Sequence, residues 1–395
     1  MLTRLYCDNY KCLVNFEFRP QPLQLLVGRN GAGKSTVFEV LELLGAFVRG
    51  EPCRDKPCEE RLVGRTRTRW QQVEQQRFEL EVKGDEGTYL YELLVDEWGP
   101  TAYPRVLKES VTLNGKPLFL FENGTVHLHN NQFQDRVQFP LNSRRSGLSI
   151  VESRTDNTKL SWLKDWFGRI LYVQIDPKLM GSRAEREAVR PTFDLSNFAD
   201  WYRHLRLDQG KGTEDLRISL QEVIGGFESL DLKEAGLNTR VLQVSVRAKA
   251  LQHGFHELPD GQRVPWAGPV AVDGPALQYS FDELSDGQRA LIGLYTLLHC
   301  ALADQTTICI DEPDNFVALV EIQPWLSRLS DLAQEAGSQV LIASHHPELL
   351  NQLATRNGVV LDRVDGRQTL VRPFAPPSDT TLTPAEIVAR GWERG

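Results

Sequence analysis

The residues best suited to chemistry fall in two stretches of the chain. "GRNGAGKST", residues 28–36, gives Gly28-x4-Gly33-Lys34-Ser35 between the apolar run "LQLLV" and the helical-looking "VFEVLELLGAFV". Glycines at this spacing let backbone N–H groups turn toward an anion, and the following helix adds the positive end of its dipole. Lys34 can reach outer phosphates, and the Ser35 hydroxyl can ligate Mg²⁺. The whole loop, Gly28, Arg29, Asn30, Gly31, Ala32, Gly33, Lys34, Ser35 and Thr36, therefore reads as a nucleotide cradle. In the second stretch, the apolar run "TTICIDEP" delivers Asp311 and Glu312 at the end of a strand. Asp311 would hold Mg²⁺ through water, and Glu312 would polarise an attacking water. An acidic pair after a strand is by itself an ordinary solvated turn; beside a phosphate loop it becomes hydrolytic machinery. Upstream, Ser285, Gly287 and Gln288 open a helix and offer a second anion site. Downstream, "QVLIASHHPELL" supplies His345 just after another strand, with His346 read as a polar loop residue.

These residues need elements to hold them. "LQLLVGRNGAGKSTVFEVLELLGAFVRG" reads as strand, loop and helix, with Val37, Val40, Leu41, Leu44 and Val48 on one helical face and Gly50 as the stop. Between residues 77 and 130, short strand-like runs alternate with the turn signals "KGDEG", "LNGKP" and "ENGT", which predicts an antiparallel meander inserted after the first helix. "KLSWLKDWFGR" predicts a helix leading into the strand "ILYVQI". Residues 183–235 read as charged and helical, and the strand-like "RVLQVSV" and "ALQYSF" precede a strong helix signal from "DELSDGQRAL" onward. The buried-strand runs "TTICI" and "QVLIAS", separated by a helix-length segment, indicate a parallel sheet. Thr383, Pro384 and Glu386 mark a last helix start with a capping box.

Composition sets limits. A net charge of −8 excludes a uniformly basic nucleic-acid coat but not a local basic face. Two arginine clusters could supply one: Arg61, Arg65, Arg67 and Arg69, and then Arg144, Arg145 and Arg154. Both are equally readable as solvated loops. Were the first cluster a nucleic-acid face, replacing Arg65, Arg67 and Arg69 would leave nucleotide binding intact. The cysteines are scattered and read as reduced thiols of a cytoplasmic protein, with a zinc site at Cys53 and Cys58 the minor reading. His127 and His129 read as strand surface. No run of eighteen apolar residues exists, and the first residues lack a secretory pattern, so no membrane association is expected.

Leu284-Ser285-Asp286-Gly287-Gln288 resembles the LSGGQ signature of ABC-type ATPases, with Asp at one variable position. Ser285 precedes Asp311 by 26 residues and His345 follows it by 34, the order found in that superfamily. On these motifs, in residues 1–50 and 280–350, the chain resembles a soluble ABC-type ATPase of the RecF, SMC and OLD branch. The resemblance implies an α/β fold: a P-loop ATPase head with a mixed or parallel central sheet, the inserted antiparallel β meander and a helical lobe. It implies a division into residues 1–175, 176–300, 301–375 and 376–395, the first and third being halves of the head, the second the helical lobe and the last a tail. It makes ATP and Mg²⁺ the cofactors and Glu312, His345 and Lys34 the catalytic residues. Ser35, Asp311 and Gln174 become the metal set, with Gln174 also readable as an ordinary strand residue. Asn9 and Tyr10 in "DNYKCL" would help hold the adenine side. "DNFVAL" departs from the sequence usual after the acidic pair, which leaves the details of the cross-dimer loop open.

The resemblance further implies a homodimer closed around two ATP molecules, the signature of one head completing the site of the other. No heptad tract supports a long coiled coil, and the 50 residues after His345 are too few for a Toprim nuclease. The expected role is a switch controlling DNA handling or a separately encoded effector (a nuclease or toxin-like protein) in anti-phage defence or DNA repair, with DNA or RNA as possible ligands. The alternative is the ATPase subunit of a membrane transporter, against which stand the 140 positions between Lys34 and Gln174. A slow regulatory binder is a third reading, against which the Asp311–Glu312 pair counts.

Overall fold

A computed structural model describes the chain except for residues 55, 99–102, 260, 303–304, 364–365, 377–380 and 393–395, and except for the side chains of residues 59, 98, 248–254 and 266–273. The described chain divides into two compact units. One comprises Met1–Gln174, Leu302–Asp314 and Ile322–Gly395; the other comprises Ile175–Ala301 and Asn315–Glu321.

The first unit is built on a six-stranded sheet in the order Ile170–Val173, Thr307–Asp311, Gln339–Ala343, Leu23–Val27, Gly358–Arg363, Thr369–Pro373. The first five run parallel and the last is an antiparallel edge. Ile308, Cys309, Ile310, Val340, Leu341 and Ile342 are all buried, as expected of strands covered on both faces. Because the strands are parallel, the cradle after Val27, the acidic pair after Ile310 and His345 after Ala343 all emerge at the same edge. Open α/β sheets place their ligands along that carboxyl edge. The helix Lys34–Arg49 packs here, with Val37, Val40, Leu41, Leu44 and Val48 fully buried and Gly50 in the left-handed region at its end.

An eight-stranded antiparallel sheet completes this unit, in the order 16–18, 2–8, 76–84, 87–98, 103–113, 116–122, 125–129, 135–140. The meander thus runs beyond residue 130 and adopts the N-terminal strands as its edge. Asn114–Gly115 and Asn123–Gly124 form its tight turns, with φ of 50° and 78° in one and 52° and 75° in the other. Both central residues of such a turn need positive φ, which Asn and Gly tolerate best. Gln339 ties the two sheets together: its Oε1 accepts from Leu2 N at 3.0 Å and its Nε2 donates to Leu2 O at 2.9 Å. His127 and His129 lie on the strand Thr125–His129, and His127 finds an acidic neighbour in Asp135 at 3.1 Å.

The second unit carries the helices Phe198–Asp208, Gly210–Val223 and Asp286–Thr296. Its segment 227–234 is a strand rather than the end of a helix. That strand pairs with Arg240–Glu257, which in turn pairs with Arg263–Ser280, so "RVLQVSV" and "ALQYSF" are the bases of two 18-residue antiparallel arms. Phe198 stacks on Phe281 at 5.2 Å and links its helix to the short turn that follows the second arm. No described helix is long and apolar enough to cross a membrane.

Candidate nucleotide site

The cradle is shaped by contacts that a side chain at its glycines would destroy. A Cβ on Gly28 would stand 2.3 Å from the carbonyl oxygen of Leu361, and Gly33 holds φ of 105° with Thr369 Oγ1 2.8 Å from its Cβ position. Lys34 begins the helix and is 7% exposed. Its Nζ donates to the Gly28 carbonyl at 2.6 Å and to His345 Nε2 at 2.7 Å. Burial lowers the Lys34 pKa against the pull of Asp311 and Glu312. Burial, and then the Lys34 charge, lower that of His345 as well, which keeps the imidazole neutral and its Nε2 an acceptor.

Asp311 ends the strand Thr307–Asp311 and is buried, which raises its pKa. Two hydroxyls oppose that rise: Ser35, and Tyr172, which donates to Asp311 Oδ2 at 3.0 Å. Tyr172 lies on the adjacent strand Ile170–Val173, where Val173 pairs with Ile310. Gln174, one residue beyond, leaves that strand at the same edge but does not line the cleft. Glu312 follows with φ of 50°, a left-handed conformation for a residue with a side chain, while its N–H donates to the Ala343 carbonyl at 2.8 Å. Such backbone strain is characteristic of functional positions. Ser35, Asp311 and Glu312 form an oxygen-rich set of the kind Mg²⁺ prefers, beside a lysine, and so fit a metal-bound triphosphate.

These groups open into a cleft of about 610 Å³. Asn9 and Tyr10 are 0% and 1% exposed and lie behind the cleft, where Lys11 and Cys12 face it instead. Asn9 is consumed as a clamp: its Nδ2 donates to the carbonyls of Val73 and Gln75 at 2.7 and 2.8 Å, and its Oδ1 accepts from Thr68 N at 3.2 Å. The clamped segment carries Arg65, Arg67, Arg69 and Trp70 into the cleft, while the intervening Thr66 and Thr68 are buried. The arginines thus form the wall of the nucleotide site itself, so their replacement cannot be expected to spare nucleotide binding. Arg363, at the end of a core strand, completes that wall and donates to the Gly31 carbonyl at 3.2 Å.

Of the remaining candidates, Gly28 and Arg29 do not line the cleft but hold Lys34 from behind through their carbonyls. His346 caps the helix Pro347–Asn357, accepting from Glu348 N at 3.2 Å. Ser285, Gly287 and Gln288 belong to the second unit. There Ser285 caps the helix Asp286–Thr296 in a full capping box with Gln288, and a Cβ on Gly287 would stand 2.9 Å from the Phe316 carbonyl oxygen. All six cysteines are free and buried, and no metal-ligating cluster occurs among the described residues. Tyr172 went unread in the sequence. Its signal was its place two residues before Gln174 in the run "ILYVQI", the spacing that puts two residues on one face of an extended chain.

Residues 276–351 match the family described as "AAA domain, putative AbiEii toxin, Type IV TA system". That span takes in the end of the second arm, the helix opened by Ser285, the pair Asp311–Glu312 and His345. The parallel sheet with the cradle, the acidic pair and His345 at one edge has the α/β layout that the motifs imply for a P-loop ATPase head. No curated protein matches the chain significantly. Similar solved structures include "SMC head domain from Thermotoga maritima", 13% identical with a TM-score of 0.45, covering 95% of this chain and 99% of that one. Another is the Smc head domain with an extended coiled coil bound to the C-terminal domain of ScpA derived from Pyrococcus furiosus, 12% identical with a TM-score of 0.45, covering 100% and 98%.

Proposed function

We propose that this head is an ATP-hydrolysing switch that dimerises around ATP. The observation that carries the reading is the convergence of Lys34, Ser35, Asp311, Glu312 and His345 on one sheet edge. Lys34 exchanges its carbonyl and imidazole partners for phosphate oxygens, and the cradle N–H groups hold the rest of the triphosphate. Ser35 and Asp311 would hold Mg²⁺, which neutralises charge developing on the phosphates. Glu312 accepts the proton of the attacking water, and neutral His345, released when Lys34 turns to the phosphates, donates a hydrogen bond to an oxygen of the transferred phosphoryl group. Gln174 joins this set if its segment turns inward when nucleotide binds. Each chain offers one cradle and one exposed, capped Ser285 helix start, which supports a composite site shared by two copies.

Control of a separately encoded effector, in anti-phage defence or DNA repair, is the biological role we infer. It is supported by the toxin–antitoxin wording of the matching family. The test is physical. Glu312→Gln keeps the shape and an acceptor but removes the base, so ATP with Mg²⁺ should drive the purified protein to twice its mass by light scattering, and the wild type should return to its starting mass as ATP is spent. A variant that binds ATP but never changes mass would overturn the switch.

A further inference from the structure

The cleft has a residue that phosphate chemistry leaves without a use. Trp70 is 44% exposed, although Thr68 two residues earlier is 1% exposed. It is the only aromatic ring among the described residues lining the cleft. Its place is fixed relative to the cradle on two sides. The segment behind it is clamped by Asn9 through Val73 and Gln75. Beside it, the Arg363 guanidinium lies 6.0 Å from the ring centroid while donating to the Gly31 carbonyl at 3.2 Å and to the Arg367 carbonyl at 2.9 Å. A large aromatic left half open to water loses burial that a ligand could restore. Lys34 and the four arginines of the cleft, Arg65, Arg67, Arg69 and Arg363, already offer charge to phosphates, whereas a nucleobase needs a flat apolar face.

We propose that Trp70 is the base platform of the site, its indole stacking on the purine of the nucleotide whose phosphates Lys34 holds. This rests on the reading of the cradle as an ATP site. Stacking on an indole depends on ring area and not on hydrogen-bond pattern. The site therefore prefers purine over pyrimidine triphosphates and discriminates weakly between adenine and guanine.

The experiment compares ATP, GTP, CTP and inorganic tripolyphosphate, each with Mg²⁺, by calorimetry on the full chain. The wild type should bind ATP and GTP more tightly than CTP, and CTP more tightly than tripolyphosphate. Trp70→Ala should lower ATP affinity by roughly fivefold to a hundredfold, the range of base–aromatic stacking, while tripolyphosphate stays within about twofold. Trp70→Phe should retain most of the affinity. Equal loss for ATP and tripolyphosphate, or no loss for either, would overturn the platform. Lys34→Ala separates the two readings, because it should abolish binding of both ligands. If it does not, the cradle assignment fails whatever Trp70 does. Thermal melting of Trp70→Ala, expected to match the wild type for a half-exposed ring, checks that the loop has not collapsed.

Discussion

At the scale of single residues, the site is tuned by groups that never meet the phosphates. The Tyr172 hydroxyl donates to Asp311 Oδ2 at 3.0 Å, and Ser35 holds the same carboxylate from the cradle side. Hydrogen bonds to metal-ligating groups set their orientation, and their loss weakens metal binding more than it slows chemistry. Tyr172→Phe should therefore raise the Mg²⁺ concentration needed for half-maximal ATPase activity by roughly three- to tenfold, with the rate at saturating Mg²⁺ nearly unchanged. An unchanged Mg²⁺ requirement would show the hydroxyl to be only a packing partner. The arginines are more direct. Replacing Arg65, Arg67 and Arg69 with glutamate puts three negative charges in the wall of the cleft. ATP affinity should fall by at least about tenfold at low salt, and the deficit should shrink as salt screens it. ATP binding equal to the wild type at every ionic strength would place these side chains outside the nucleotide's reach.

Among the elements, the meander depends on one buried carboxylate. Glu109, on the strand Tyr103–Leu113, is 0% exposed and accepts from the Tyr91 hydroxyl at 3.0 Å, Ser146 Oγ at 2.6 Å and the backbone N–H of Gly147 at 2.6 Å. It anchors the chain leaving the last meander strand, Asp135–Pro140, to the middle of the sheet. Burial pushes its pKa up despite these donors. The folded state therefore holds this proton more tightly than the unfolded one, and Glu109 contributes stability below the ordinary glutamate range that is lost as pH rises through the raised value. Glu109→Gln cannot ionise, and its amide N–H₂ would face other donors. It should cost about 1–3 kcal/mol of stability. The difference between wild type and variant, followed by denaturant unfolding from pH 4 upward, should narrow as pH rises. A difference independent of pH would mean that Glu109 has an ordinary pKa.

For the molecule as a whole, the proposed switch needs the cradle and the Ser285 helix start on one chain. The Ser285 side chain is exposed, and among the described residues its hydroxyl bonds only Gln288, 3.1 Å away. Such a helix start can receive an anion from a second copy without any local unfolding. Ser285→Arg in the Glu312→Gln background should place a bulky side chain in that contact and return the ATP-bound protein to monomer mass. A pair that persists, or that forms without nucleotide, would assign dimerisation to another surface.

Much of this was legible in the sequence because its cause is local. Gly28, Gly33 and Lys34 must occur at fixed spacing for a loop to wrap an anion, Asn-Gly turns need positive φ, and an apolar stripe such as Val37–Val48 has one helical face to bury. Those requirements act over a few residues and leave their mark in order and spacing. The two long arms of the second unit left little mark, since their middle portions lack clean alternation and their pairing joins residues far apart in the chain. The same holds for the cleft wall. Nothing near Arg65, Arg67, Arg69 and Trp70 says whether they face solvent, nucleic acid or nucleotide, and nothing near Asn9 says that its amide is spent on holding them. That assignment was made by hydrogen bonds across 59 to 66 positions of sequence, between a left-handed turn and a segment that must lie against it to satisfy its own backbone.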